Sequence, residues 1–118
     1  MAGYSTNSVV QQTFASLFAL TNALGYYADY GGSGKWCESE IFTHIDAPIS
    51  EIYGKEFGVI GLGQIGVKLA RIAAAFGANV RYYSTSGAND NDEFARVSLD
   101  ALLRACDIIS IHAPLNEK

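Results

Sequence analysis

A short apolar run ends in G-x-G-x-x-G and passes at once into a helix-forming segment: Phe57-Gly58-Val59-Ile60-Gly61-Leu62-Gly63-Gln64-Ile65-Gly66. A strand, a tight turn and a helix start are thereby packed into ten residues. Each glycine answers a different need. The first permits the turn, the second lets a pyrophosphate approach the backbone, and the third lets helix and strand pack closely. The free N–H groups and positive dipole end of the following helix suit an anion. Three glycines at this spacing also occur in ordinary loops, so the motif needs its strand–turn–helix context to mean more than a structural turn.

That context is present. Ile65, Leu69, Ile72, Ala73 and Phe76 recur at three- and four-residue steps, with Lys68 and Arg71 off the stripe. Gly77 falls where a helix takes a left-handed terminal residue. A second strand is expected over Asn79–Tyr83, then a polar loop through Asn89-Asp90-Asn91-Asp92 and a second helix from about Ser98 to Ala105. A third strand is expected over Ile108–Ile111. Ser98 is the expected N-cap, with Leu99, Leu102 and Leu103 on the buried side, and successive apolar residues such as Ile108-Ile109 indicate burial on both faces. The alternation β-α-β-α-β predicts an α/β fold: a partial Rossmann fold with a three-stranded parallel sheet in the order 3-2-1. Two right-handed crossovers stepping the same way place both helices on one face, leaving the other for a long N-terminal helix.

That helix is expected over Met1–Tyr30, with Val10, Phe14, Leu17, Phe18 and Leu24 at helical spacing and a kink or restart at Gly25. Asn7 or Ser8 is the expected N-cap. Gly31-Gly32-Ser33-Gly34 breaks the chain, and Trp36 anchors a connection running to about Glu51. The 118 residues thus read as a single partial domain, 1–50 being a helical arm and connection and 51–118 the β-α-β-α-β half.

Bulk properties exclude several classes. Net charge is −4, and the eight basic residues are scattered from Lys35 to Lys118 without forming a stripe, which disfavours nucleic acid. The longest apolar stretch, Phe14–Leu20, is too short to span a bilayer, and no signal-peptide pattern opens the chain. Cys37 and Cys106 form no C-x-x-C and read as free thiols of a reducing cytoplasm. Asp90, Asp92 and Glu93 lack the spacing of a divalent-ion loop, so no metal site is expected.

Several ordered landmarks together resemble the D-isomer-specific 2-hydroxyacid dehydrogenase family. Tyr4-Ser5-Thr6-Asn7-Ser8-Val9-Val10-Gln11 is similar to the start of its interdomain helix, and Gly34-Lys35-Trp36 to its G-x-W landmark. Tyr53-Gly54-Lys55 is similar to its approach to the first strand, and Gly61 to Gly66 to its fingerprint. The run Cys106-Asp107-Ile108-Ile109-Ser110-Ile111-His112-Ala113-Pro114-Leu115 resembles its third strand and adenine-side turn. The resemblance implies the first half of a cofactor domain from an NAD- or NADP-dependent oxidoreductase of small D-2-hydroxy and 2-keto acids. It also implies that the family's catalytic Arg, Glu and His lie outside this chain, which then has no catalytic residue, no turnover of its own and weak dinucleotide binding.

On this reading Gly61 and Gly63 meet the pyrophosphate, Gln64 and Ile65 offer backbone N–H groups, and Gly66 packs. His112, Ala113 and Pro114 line the adenine, against the alternative of a solvated histidine at a strand end. Ser84 stands where relatives using NAD carry an acidic residue; it either bonds the ribose or merely closes a turn. Losing the carboxylate removes repulsion toward a 2′-phosphate, yet no Arg or Lys directly follows, so NAD and NADP both stand. Flavin and S-adenosylmethionine sites also use such turns, but usually with the acidic residue that Ser84 replaces. Asn7 either caps its helix or reaches toward the cleft. Because the family's strand beside the first one is counted as missing, an open apolar edge on Phe57–Ile60 predicts a homodimer, and a non-enzymatic self-associating half-domain is the second reading.

Overall fold

The computed structural model describes residues 5–114 and contains five helices and four strands. The expected helical residues 1–4 and Leu115 lie outside the described residues. The chain divides into two compact units, 12–51 and the remainder.

In the larger unit, β1 (Glu56–Ile60), β2 (Asn79–Tyr83), β3 (Ala95–Arg96) and β4 (Ile108–Ile111) form an all-parallel sheet in the order β3-β2-β1-β4. The α/β, Rossmann-type reading holds, but the strand order needs correction. The Ile108 strand does not lie outside β2. It pairs with β1, in the register Phe57↔Ile108 to Ile60↔Ile111. The place beside β2 belongs to β3, whose two residues are too short to carry any periodic signal. Asp107 secures β4 by a reciprocal pair: its N–H donates to Glu56 O at 2.9 Å, and its Oδ2 accepts from Glu56 N–H at 3.0 Å.

The helix placement changes with the order. From β3 the chain steps back across the sheet to reach β4, and a right-handed crossover in the reverse direction lies on the opposite face. A Cβ at Gly58 would stand 2.7 Å from Leu102 Cδ2 of α5 (Leu99–Ala105), whereas one at Gly66 of α4 (Gln64–Ala75) would stand 3.2 Å from Val59 Cγ1. Successive strand residues point to opposite faces, so α4 and α5 cover opposite sides. The expectation that both share one face is overturned, and no N-terminal helix is needed to cover the second.

The open-edge argument falls for the same reason, since β1 is paired on both sides. The unpaired edges among the described strands are those of β3 and β4, and on β4 Ile109 and Ile111 are 37% and 68% exposed. They are not buried on both faces as expected, because α5 packs on β1 and β2 rather than on β4.

The core of this unit is Val10, Ile52, Phe57, Val59, Leu62, Leu69, Ala70, Ala73, Tyr82 and Leu102. Along α4 the buried stripe is Gly66, Leu69, Ala70 and Ala73; Phe76, assigned to it from the sequence, is exposed. Small residues win this face because they allow close approach to the sheet. The helix closes as expected at Gly77 (φ 83°). Ala78 N–H donates to Ala73 O and Gly77 N–H to Ala74 O, which satisfies two terminal carbonyls. Ser98 caps α5, accepting from Ala101 N–H at 3.2 Å. Only Leu102 is buried there. At 100° per residue, Leu99 lies about 60° and Leu103 about 100° from it around the helix, and their exposures climb accordingly to 38% and 54%.

The expected single N-terminal helix is two, α1 (Thr6–Thr21) and α2 (Leu24–Gly32). The break precedes Gly25. Thr21 Oγ1 and Asn22 Nδ2 donate back to Leu17 O and Phe18 O, and Ala23 turns left-handed (φ 47°). Asn7 and Ser8 lie within α1 and do not cap it; Asn7 Oδ1 instead accepts from Lys68 Nζ. In the 12–51 unit, α3 (Lys35–Glu38) follows Gly34, and Trp36 is a half-exposed ring packed edge-on against Tyr30 rather than a buried anchor. His44 stacks on Tyr30 at 3.6 Å between centroids and bonds the Tyr26 hydroxyl at 2.8 Å. No helix among the described residues is long and apolar enough to cross a membrane.

Candidate cofactor site

Three parallel strands end together at one edge of the sheet. Gly61 N–H donates to Tyr83 O at 2.9 Å and His112 N–H to Ile60 O at 2.8 Å, so the turns after β1, β2 and β4 are tied side by side. In open parallel sheets this carboxyl edge is where ligands bind.

The three motif glycines separate cleanly. Gly61 has φ 91°, and a Cβ there would stand 2.8 Å from His112 O and 2.9 Å from Ala113 N. Gly66 lies against Gly61 O, where no Cβ fits. Both are required by the protein's own backbone. Gly63 is not: its φ of −78° suits any residue, and a Cβ would meet nothing within 4 Å. The open space stands at the start of α4, whose first intrahelical acceptor is Gly63 O, bonded by Val67 N–H at 2.9 Å. The amides of Gln64, Ile65 and Gly66 precede that bond and have no helical partner of their own.

A cavity of about 270 Å³ lies at this edge, lined by Gly61, Gly63, Thr85, Ser86, Asn89, His112, Ala113 and Pro114. A larger groove of about 740 Å³, lined by Gly63, Gln64, Val67, Lys68, Arg71 and Asn89 among others, shares Gly63 and Asn89 with it. The smaller space falls just under the ~300–1,000 Å³ of a drug-sized ligand site, so it fits part of a dinucleotide rather than all of one.

Of the residues named from the sequence, Gly61, Gly63, His112, Ala113 and Pro114 converge on the cavity, and Gln64 lines the adjoining groove. Ile65 contributes no lining side chain, and Gly66 is a packing residue. Gly61 spends its N–H on Tyr83, so it offers close approach rather than a donor. Ser84 is turned inward, 5% exposed, and its Oγ accepts from Gly87 N–H at 3.1 Å. Thr85, Ser86 and Asn89 take its place. Strand alternation carries that signal: Ser84 shares parity with buried Tyr82, and Thr85 does not.

The loop after β2 is held from several sides. The buried Tyr82 hydroxyl donates to Asn89 O and accepts from Asn91 N–H, each at 3.2 Å. Arg71 grips Glu93 through both carboxylate oxygens, Nε to Oε2 at 2.8 Å. Hydrogen bonding to Arg71 holds the Glu93 carboxyl below its usual range. Arg96 meets Asp90 at 2.7 Å. Across the cavity, His112 Nε2 lies 2.8 Å from Ser110 Oγ, and burial pushes its pKa below the ordinary value, favouring the neutral ring.

This edge, with one glycine left open beside a helix N-terminus, defines a dinucleotide-binding Rossmann domain of the dehydrogenase type. The chain belongs to the family of D-isomer specific 2-hydroxyacid dehydrogenase NAD binding domains, whose family model matches residues 14–118. It is 35% identical over 114 residues to the hydroxypyruvate reductase of Blautia hydrogenotrophica, covering 95% of this chain and 35% of that protein. Among solved structures, D-lactate dehydrogenase from Aquifex aeolicus, complexed with NAD and lactic acid, matches with a TM-score of 0.82 at 30% identity, over 99% of this chain and 34% of that one. An acyclic imino acid reductase in complex with NADPH and D-Arg matches with a TM-score of 0.76 at 35% identity, over 97% and 35%. The chain therefore spans about a third of the length of the proteins it matches.

Proposed function

We propose that this chain binds the adenosine diphosphate half of NAD or NADP within an oxidoreductase acting on small D-2-hydroxy acids and the corresponding 2-keto acids. The observation carrying the cofactor assignment is Gly63, a glycine whose own fold has no need of it, facing open space beside unpartnered helix amides. A pyrophosphate explains the missing side chain. The Gln64 and Ile65 amides then donate to its oxygens, Gly61 lets it come close, and Gly66 keeps α4 seated. His112, Ala113 and Pro114 form one wall for the adenine, and Thr85 and Ser86 the ribose side.

When bound, the nicotinamide ring supplies the hydride acceptor or donor, and the protein's contribution here is orientation. The residues assigned by resemblance to proton transfer and carboxylate binding lie outside this chain, so by itself it turns over no substrate. Free Cys37 and Cys106 fit a cytoplasmic enzyme.

Calorimetric titration with NADH, NADPH and S-adenosylmethionine tests the assignment. A dinucleotide is expected to bind, and Gly63→Ala to weaken it while leaving the unfolding midpoint in place. Binding of S-adenosylmethionine alone, or indifference to Gly63→Ala, rules it out. Self-association is a second reading, now resting on the exposed outer edge of β4; sedimentation as a monomer at high concentration eliminates it.

A further inference from the structure

The loop after β2 raises a question that the glycine turn leaves open: which of the two nicotinamide dinucleotides fits. They differ by one phosphate on the adenosine 2′-oxygen. A carboxylate at the end of β2 rejects that phosphate by repulsion; here the position is Ser84, buried and engaged within its own turn. The next two residues, Thr85 and Ser86, present small hydroxyl side chains to the cavity. Nothing of like charge stands at the strand end itself.

A cation is at hand from the neighbouring strand. Arg96 is on β3, in register with Tyr82 and so one residue short of the carboxyl end of β2. Its guanidinium reaches over the loop, with Nη2 3.7 Å from where a Cβ on Gly87 would lie. Gly87 directly follows Ser86, which lines the cavity. Arg71 holds Glu93 through two hydrogen bonds, Arg81 holds Glu56 in a half-buried pair on the strands, and Arg104 pairs with Asp100 within α5. Arg96 makes one bond, from Nη1 to Asp90 Oδ1, and the Asp90 side chain is 82% exposed. A pair this exposed contributes little, so Asp90 can swing into water when a better anion arrives. A phosphate is that anion, being more highly charged and matched to the planar fork of the guanidinium.

We infer that Arg96 is the specificity-determining residue of this cofactor site, exchanging Asp90 for the 2′-phosphate, and that the chain takes NADP(H) in preference to NAD(H). The inference rests on the cofactor reading above and adds the choice between the two forms. Sequence inspection missed it because the arginine comes from the next strand, twelve residues beyond Ser84, rather than directly after β2.

Titration of the 118-residue chain and two variants with NADPH and NADH separates the possibilities. NADPH is expected to bind at least about tenfold more tightly, the scale of one charge-assisted contact. Arg96→Gln removes most of that advantage and leaves NADH binding unchanged. Asp90→Asn, which deletes the competing carboxylate, raises NADPH affinity a few-fold and also leaves NADH unchanged. Both side chains are solvent-exposed, and circular dichroism confirms that each variant folds. Equal affinities, an NADPH preference that survives Arg96→Gln, or loss of NADH binding in Asp90→Asn (the mark of a ribose acceptor) overturns the inference and leaves the cofactor reading standing. Binding of neither dinucleotide overturns both.

Discussion

Gly61 and Gly63 are two residues apart and carry the same letter, yet only one of them is required by the protein. At Gly61 a side chain meets backbone atoms of His112 and Ala113 in a left-handed conformation. Gly61→Ala is therefore expected to destabilise the chain by about 1–3 kcal/mol from backbone strain alone, read as a lower urea midpoint. Gly63→Ala should leave that midpoint within experimental error. His112 makes a second prediction at this scale. Burial lowers its pKa from the ordinary 6.5, so as the pH falls through 6.5 the unfolded chain takes up the proton first. Stability is present above that pH and is lost progressively on the acid side until the folded-state value is passed. The ring-proton midpoint in an NMR titration should lie below 6.5, and His112→Gln should flatten the acid limb of stability against pH. Ser84 is the residue at which sequence reasoning stopped short. Its type suits a ribose contact and a turn equally, and only the inward direction of Tyr82 decides for the turn.

At the scale of the element, α5 is instructive because it is two turns long and depends on one side chain. Leu102 is wholly buried over Gly58, while the flanking Leu99 and Leu103 look outward. Leu102→Ala is expected to cost about 2–5 kcal/mol, and Leu103→Ala, on the same helix, under about 0.5 kcal/mol. Removing the cap with Ser98→Ala should cost about 1 kcal/mol. Chemical denaturation of the three variants ranks them. Three leucines within five residues looked equivalent in the sequence; the rotation angle that distinguishes them is set by where the helix meets the sheet. By contrast the strand–turn–helix around Gly61 and the closure at Gly77 were legible, because each is enforced by local steric rules acting within a few residues.

Across the whole molecule the two units differ in how they are held. The sheet unit contains nearly all the buried side chains, with Phe57 and Val59 at or near zero exposure, whereas α2 and α3 bury no residue. Hydrogen exchange should follow this division, with the amides of β1, paired on both sides, exchanging slowest and those of α2 and α3 fastest. Uniform protection throughout would contradict it.

What the sequence determined unaided was the alternation of strands and helices, the parallel sense of the sheet, the glycine turn and the family. The first three follow from short-range periodicity and turn chemistry, and the family from the resemblance of several ordered landmarks. The strand order escaped it, because a two-residue β3 has no period to detect and a parallel strand can join either side of β1 with equal local satisfaction. Only the tertiary structure settles that choice. With it come the opposite faces of α4 and α5, the pairing of both edges of β1, and the place of Arg96 on a strand beside β2.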